Sequence, residues 1–561
     1  MKNTTIITII TVFTLFSLLS NAQNFEWAKQ MGGTDIDIGN SITTDVSGNV
    51  YTIGEFYNTA DFDPGVGVYN LTSAGSYDIF VSKLDASGNF VWAKSIGGVG
   101  VDVGWSVATD ASGNLYVIGS FGDTVDFDPG AGVYNLTSAG SYDIFVSKLD
   151  ASGNFVWAKS MGGTGWDEGR SIFTDSSSNV YTTGFYEGTA DFDPGVGVYN
   201  LTSAGSSDIF ISKLDASGNF VWVKSIGGTD GDGGYSITTD VSGNIYTTGF
   251  YEGTADFDPG VGVYNLTSAG SSDIFISKLD ASGNFVWAKR MGGISSELGR
   301  SITSDISGNI YTTGSFEGTA DFDPGVGVYN LTSAGSSDIF ISKLDASGNF
   351  MWVKSIGGTD GDDGYSIATD ASGNVYTTGT FWGTADFNPG VGLFNLTSAG
   401  ISDIFISKLD ASGNFMWAKS MGGSGWDQVN SITIDASGNL YTTGYFIGTV
   451  DFDIGIGVLN LSAVGIDIFV HKMSVEGVGY IKYTEQNKVS IFPNPNNGIF
   501  NIETNKAHIC ELYNSLGKIV YTSNLQVGNN NIQLPNLAAG VYLIKLYNGT
   551  ETYVERLVVN P

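Results

Sequence analysis

The motif N-F-x-W-x-K returns along the chain with its tryptophan at Trp27, Trp92, Trp157, Trp222, Trp287, Trp352 and Trp417, each 65 residues after the last. Seven copies of one unit, almost free of insertions, reduce the folding problem to one unit and the neighbour it packs against. In the copy from Gly364 to Gly423, four segments alternate apolar and polar residues or are rich in β-formers: Tyr365–Thr369, Asn374–Thr378, Asp403–Leu409 and Asn414–Lys419. They read as four strands. Asp370–Asn374 joins the first two and Asp410–Asn414 the last two, each as D-x-S-G-N. Asp accepts backbone N–H groups of its own turn and Gly takes the left-handed conformation, so each copy is an antiparallel meander of two tight hairpins.

A lone four-stranded meander leaves two faces in need of cover, and stacking copies around an axis covers each with its neighbours. The expected fold is therefore all-β: a seven-bladed β-propeller over residues 23–479. The 79 glycines against 10 prolines fit many short strands joined by tight turns. An open solenoid of the same units would need atypical capping repeats at both ends, and none is seen. Asn24–Lys29 is a fourth strand without its own first three, while no N-F-x-W follows Met473. The N-terminal strand is thus expected to complete the last blade and close the ring.

The run S-K-L-D-A-S-G-N-F-x-W-A-K-S-x-G-G, followed by S-I-x-T-D-x-S-G-N-x-Y-T-T-G, resembles the bacterial β-propeller repeat known as SBBP, from Asn24 to about Gly477. The resemblance implies the propeller fold and no particular activity. This chain departs from it in a longer segment between the second and third strands, G-T-A-D-F-D-P-G-V-G-V-Y-N-L-T-S-A-G, expected to add a hairpin.

Charge narrows the partners. A net charge of −33 argues against nucleic acid, which needs clustered Lys and Arg, and against anionic lipid surfaces. Met1 and Lys2 lead into an apolar run from Ile6 to Leu19, closed by Ser20-Asn21-Ala22, which reads as a signal peptide over 1–22 with the mature chain starting near Gln23. No later run is apolar enough for a transmembrane segment. The single cysteine, Cys510, allows no internal disulfide.

Strand direction puts both D-x-S-G-N turns on one face of the ring, and the insert and the inter-blade links on the other. Each link keeps one acidic position: Asp37, Asp102, Asp167, Asp232, Glu297, Asp362 and Asp427. Seven carboxylates near a channel mouth would attract a cation or a hydroxyl-rich ligand; equally, each would cap backbone N–H groups where the chain enters the next blade. The aromatics Trp105, Trp166, Tyr235, Tyr365 and Trp426 lie in or beside the links, suited to stack on sugar rings or to pack between blades. Acidic pairs such as Asp61 with Asp63, Asp126 with Asp128 and Asp256 with Asp258 supply part of what a Ca2+ site needs, but D-P-G is also ordinary turn chemistry. His471 and His508 are the only histidines, neither beside a recurring nucleophile, and no zinc cluster or phosphate loop is seen. No catalytic residues and no cofactor are assigned.

After a polar linker at 480–487, alternation resumes as a small C-terminal β-sandwich over 488–561. F-P-N-P-x-x-G-x-F at Phe492–Phe500, L-Y-N-S-L-G-K-I-V at Leu512–Val520, L-A-A-G-V-Y-L-I-K-L at Leu537–Leu546 and R-L-V-V at Arg556–Val559 resemble the C-terminal sorting domain of the type IX secretion system of Bacteroidetes. The positions that carry the likeness are Pro493, Asn494, Pro495, Gly498, Gly517, Gly540, Tyr542 and Arg556, the last where the family usually has Lys. The resemblance implies recognition by the outer-membrane export machinery. The expectation is a secreted or surface-attached binding or adhesion module for a glycan or protein. A secreted polysaccharide hydrolase or lyase and a structural surface-layer component are the competing classes.

Overall fold

The computed structural model describes residues 24–474, apart from 456, and 490–559, apart from 495, 505, 515–517, 535–536 and 549–551. The expected signal peptide, the start at Gln23, the linker at 480–487, and Pro495 and Gly517 lie outside the described residues. The described residues hold strands and turns and no helix. They fall into two compact units that divide after Gly477.

In the first unit every copy forms one antiparallel four-stranded sheet. In the second copy the strands are Asp102–Thr109, Leu115–Phe121, Asp143–Leu149 and Phe155–Gly163, hydrogen-bonded in that order. The D-x-S-G-N turns behave as their chemistry demands. Asp45 Oδ1 accepts the N–H groups of Ser47 and Asn49, its Oδ2 accepts Asn49 Nδ2 and the Tyr51 hydroxyl, and Gly48 has a φ of 78°. The insert does form a hairpin, Thr124–Asp126 against Asn135–Thr137. Its first strand also pairs with Gly97 and Gly98 at the end of the preceding copy's fourth strand. The glycine pair is needed there: a Cβ on Gly98 would overlap the Thr124 carbonyl oxygen, and one on Gly97 the Asp78 carboxylate.

Apolar side chains are shared between neighbouring copies rather than held within one. Tyr51, Ile53, Ile79 and Val81 of the first copy pack with Val107, Leu115, Val117 and Phe121 of the second. Each Lys-Tyr pair reinforces this, as where Lys83 Nζ lies 4.9 Å from the centre of the Tyr51 ring and donates to the Ala151 carbonyl of the next copy. The same relation joins the two ends of the repeat region. Asn24–Gly33 pairs antiparallel with Asn460–Ser474, from Asn24 opposite Ser474 to Met31 opposite Ile468. Met31 and Ile42 share a core with Tyr441, Ile468 and Val470.

A hydrogen-bond relay runs through the first strands. The Ser hydroxyls of copies one to six, Ser41, Ser106, Ser171, Ser236, Ser301 and Ser366, accept the N–H of Val107, Ile172, Ile237, Ile302, Ile367 and Ile432 in turn. Ser431 then accepts from Ile42, in the first copy.

The second unit packs a sheet of Ser490–Phe492, Ile499–Thr504 and Gly528–Gln533 and a sheet of Ile519–Leu525, His508–Tyr513, Gly540–Tyr547 and Thr552–Val559 around Phe500, Ile502, Leu512, Leu525, Ile544 and Leu557. Gly528–Gln533 is a strand that periodicity alone misses, because Asn529, Asn530 and Asn531 supply no apolar alternation. The F-P-N-P motif clasps the terminal strand: Asn494 Oδ1 accepts the Val558 N–H, and Asn496 N–H donates to the Val558 carbonyl. Gly498 has a φ of 87° and donates to Asn496 Oδ1, and the Tyr542 hydroxyl donates to the Ala538 carbonyl. Gly540 is exposed, and Arg556 lies in the terminal strand opposite Leu543.

Candidate functional site

The expected acidic ring is not at a channel mouth. Asp37, Asp102, Asp167, Asp232, Glu297, Asp362 and Asp427 are all fully buried. Asp37 accepts the Gly33 and Tyr57 N–H groups, Asp102 those of Gly98 and Gly122, and Asp427 those of Gly423 and Ile447. These carboxylates cap the chain where it enters each copy, and no ligand reaches them from solvent. The D-x-D pairs likewise serve their own turns: Asp61 Oδ1 accepts the Asp63 and Tyr69 N–H groups, and Asp63 accepts from Gly65. The pairs at Asp126 and Asp256 repeat this. Among the described residues no group of three or more His, Cys, Asp or Glu is placed to hold a metal.

Burial drives the capping acids up: Asp37, Asp102, Asp232, Glu297 and Asp362 to about 7 and Asp167 to about 6, in each case by desolvation first, with a second buried carboxylate such as Asp467, Asp78 or Asp208 adding to the shift. A folded-state value raised above the unfolded one stabilises fully below the unfolded pKa, near 4, and loses that stabilisation progressively until pH passes the folded value of 6 to 7. The turn acids run the other way. Asp45, Asp110, Asp175, Asp240 and Asp305 are buried enough to be pushed up, but hydrogen bonds from their Asn partners outweigh this and hold them below 3.8, so their contribution is lost as pH falls below that value. His471, fully buried and lowered to about 3 by desolvation, costs stability as pH falls from 6.5, but it is one group against six. Thermal unfolding should therefore be latest near pH 4 to 5, with the midpoint lower at pH 8 by about 5 °C or more. A midpoint that rises from pH 5 to pH 8 would contradict the assignment of these carboxylates as buried and largely protonated.

What the fold brings together is a different ring. Each first strand carries a β-bulge, with the register slipping between Gly39 and Ser41, Gly104 and Ser106, Gly169 and Ser171, Gly234 and Ser236, Gly299 and Ser301, Gly364 and Ser366, and Val429 and Ser431. The extra residue is Asn40, Trp105, Arg170, Tyr235, Arg300, Tyr365 and Asn430 in turn, and all seven line one pocket of about 460 Å3. Ile38, Glu55, Gln428 and Tyr445 complete its wall. Of the five aromatics singled out, Trp105, Tyr235 and Tyr365 are here. Trp166 and Trp426 are not: they are exposed by 46% and 47%, and Trp166 stacks on Tyr142 in the link with centroids 5.8 Å apart.

Trp105, Arg170, Tyr235, Arg300 and Tyr365 alternate ring and guanidinium. Arg170 lies 4.2 Å from the Trp105 ring and 5.7 Å from Tyr235, and Arg300 lies 5.5 Å from both Tyr235 and Tyr365. Flat guanidinium groups stack on aromatic faces in this way while keeping their edge N–H groups available. The other arc is amide: Asn40 donates to the Gly104 carbonyl, Asn430 to that of Gly39, Gln428 to Asn430 Oδ1, and the Tyr445 hydroxyl to Gln428 Oε1. Arg170 Nε forms an ion pair with Glu168 at 2.7 Å. Glu55 is pushed up to about 7 by desolvation, then by Glu168, with Arg170 opposing. Arg170 and Arg300, missed in the sequence, are two of only four arginines in a chain of 561 residues. The signal was there in G-x-S, whose outer positions barely change while the middle one differs from copy to copy.

Comparison with known proteins agrees with the repeat and the C-terminal unit. Residues 26–55 and 286–315 match the β-propeller repeat SBBP, and residues 490–560 match the secretion system C-terminal sorting domain. Among curated proteins, the chain is 26% identical to an uncharacterized WD repeat-containing protein, L264, of Acanthamoeba polyphaga mimivirus, over 75% of this chain and 36% of that one. It is 25% identical to the regulatory protein FlaEY of Caulobacter vibrioides over 29% of this chain and 17% of that one. The chain thus spans about a third or less of the length of these relatives. Among solved structures, the Neurospora crassa Pan2 WD40 domain is similar with a TM-score of 0.35 at 9% identity, covering 80% of this chain and 97% of that one. YCF48 from Cyanidioschyzon merolae gives 0.31 at 10%, covering 79% and 98%. The chain thus carries two matches to the SBBP β-propeller repeat within its repeat region and, at residues 490–560, a match to the secretion system C-terminal sorting domain.

Proposed function

We propose that this is a binding module exported by the type IX secretion system, a closed seven-bladed propeller whose ligand enters the pocket ringed by the bulge residues. The seven-step Ser relay that returns from Ser431 to Ile42 supports closure. The sorting domain supports export to the cell surface or the medium. One observation carries the binding reading: in copies that are otherwise nearly identical, the residue that faces the pocket is Asn, Trp, Arg, Tyr, Arg, Tyr, Asn. A residue kept only to fill a channel has no reason to differ where the Ser after it never does and the Gly before it does so once, at Val429. The volume lies within the roughly 300–1,000 Å3 of small-molecule sites, and aromatic faces beside amide groups suit sugars.

The test is a glycan and metabolite array probed with the full chain, its Trp105→Ala variant and its Tyr365→Ala variant. At least one ligand of the intact protein should be lost, with affinity down about 10-fold or more in each variant, while the melting temperature moves by only about 2–4 °C. Ligands that both variants retain would place the binding surface elsewhere. A second reading, a hydrolase or lyase acting on polysaccharide, draws on Glu55 beside Glu168, since a carboxyl held near 7 suits a general acid. Glu55→Gln separates the two: it would abolish turnover of a bound polysaccharide in an enzyme and leave a pure binder still binding.

A further inference from the structure

We propose that the pocket takes a carboxylate carried on a hydroxyl-bearing ring, such as a uronic acid residue, with Arg300 as the anion contact. This rests on the binding reading above and specifies its ligand class.

The two pocket arginines are not equivalent. Arg170 has its counter-charge in Glu168. Arg300 is half-buried between Tyr235 and Tyr365, and among the described residues no carboxylate lies within ion-pair distance of it. Its Nε is buried without a hydrogen-bond partner. A half-enclosed cation with no internal acceptor is costly unless something else supplies one. In a chain with 57 acidic residues against 24 basic ones, an unpaired arginine at the one place where all seven copies meet is well placed to receive an anion.

The remaining groups limit which anion. Trp105 Nε1 and Arg170 Nε, the latter ion-paired but not hydrogen-bonded, are also buried donors without a hydrogen-bond partner, so the pocket has donor capacity left over and asks for acceptors. Across from the guanidinium arc, Asn40, Asn430, Gln428 and the Tyr445 hydroxyl are the kinds of group that bind sugar hydroxyls. Charge then favours one carboxylate over a polyanion. Glu168 offsets Arg170, Asp363 on the same strand end lies near enough to Tyr365 to be felt there, and Glu55 adds a further negative charge when ionised. The charged and titratable groups felt at Glu55 are Glu168 and Arg170, and Tyr77 from the adjoining strand. Protonation of Glu55 removes repulsion for an incoming carboxylate, so affinity should rise as pH falls through 7, and Glu55→Gln should flatten that rise.

The test is calorimetric titration of the full chain with D-glucuronate and D-galacturonate, their neutral parents D-glucose and D-galactose, and D-galactose 6-sulfate, repeated with Arg300→Gln and Arg300→Lys. At least one uronate should bind about 10-fold or more tightly than its parent, as expected of a charge-assisted contact. Arg300→Gln should lower uronate affinity by about 10- to 100-fold, to the level of the neutral sugar, with Arg300→Lys in between because the bidentate fork is lost and the charge kept. Should Arg300→Gln fail to fold, the Lys variant and the acid-to-neutral ratio of the intact protein still decide. Equal binding of acid and neutral sugars, an Arg300→Gln variant with unchanged affinity, a preference for the sulfate, or no binding by any of the five would each overturn the proposal. In those cases an array ligand lost in Trp105→Ala would leave the pocket standing as a binding site for other chemistry.

Discussion

Removing residues 24–31 should lower the melting temperature by about 10 °C or more, or prevent folding, although the segment is a small part of the chain. The strand it deletes pairs along its length with Asn460–Ser474 and supplies the outer edge of the last sheet. Ala28 and Met31 are buried, and Phe25 packs 5.7 Å from the His471 ring. Trp27 packs edge-on to Tyr441, and Gln30 donates to the Ser462 carbonyl. Truncating one buried Met costs about 2–5 kcal/mol, so losing the strand with its ladder and four packed side chains is comparable to the whole stability of an ordinary domain. Circular dichroism melts of the intact and shortened chains measure it directly, and a synthetic Asn24–Gly33 peptide added in trans should recover part of the loss. A shortened chain that melts within about 2 °C of the intact one would show that the two ends of the repeat region do not depend on each other.

That strand was legible because its signature is the motif of every other fourth strand, displaced to the start of the chain. So were the turns, since D-x-S-G-N states its own geometry, and Asp45 and Gly48 do what those residue types do best. The pocket was not legible by the same means. Strict alternation assigns one face to every second residue, but along Asp37–Thr44 the buried positions are Asp37, Gly39, Ser41 and Ile42. The bulge at Asn40 breaks the period, so a strand read from alternation starts too late, after the glycine, and leaves the acid in the link as if it faced solvent. Burying that acid is what lets it cap the Gly33 and Tyr57 N–H groups. Trp105, Tyr235 and Tyr365 were found because aromatics beside loops draw notice. Arg170 and Arg300 were not, since a single charged residue in a strand reads as a solvated one until seven strands are seen to converge on the same space.

The bulge itself gives the second large effect. Opposite each bulge the second strand carries a glycine: Gly54, Gly119, Gly184, Gly249, Gly314, Gly379 and Gly444. A Cβ on Gly314 would overlap the Leu298 carbonyl oxygen and press on the Phe340 ring, and the other six meet the equivalent carbonyl. The bulge drives that carbonyl against the neighbouring backbone as it turns Arg300 toward the pocket, so the T-T-G and G-x-S motifs are two halves of one device. Gly314→Ala should therefore destabilise by about 3 kcal/mol, at the upper end for an overpacked site, because backbone cannot move aside as a side-chain tip would. It should also displace Arg300, so that binding of an anionic ligand falls about as far as in Arg300→Gln even under conditions where the variant is folded. Gly122→Ala, whose Cβ would find its nearest atom, on the Tyr142 ring, 3.4 Å away at ordinary contact distance, is the matched control and should change stability by less than about 1 kcal/mol. Denaturant unfolding of the three proteins, followed by titration at a concentration where each is native, separates the two effects. If Gly314→Ala unfolds early but binds normally once folded, the bulge is needed for stability alone and the pocket residues are held by something else.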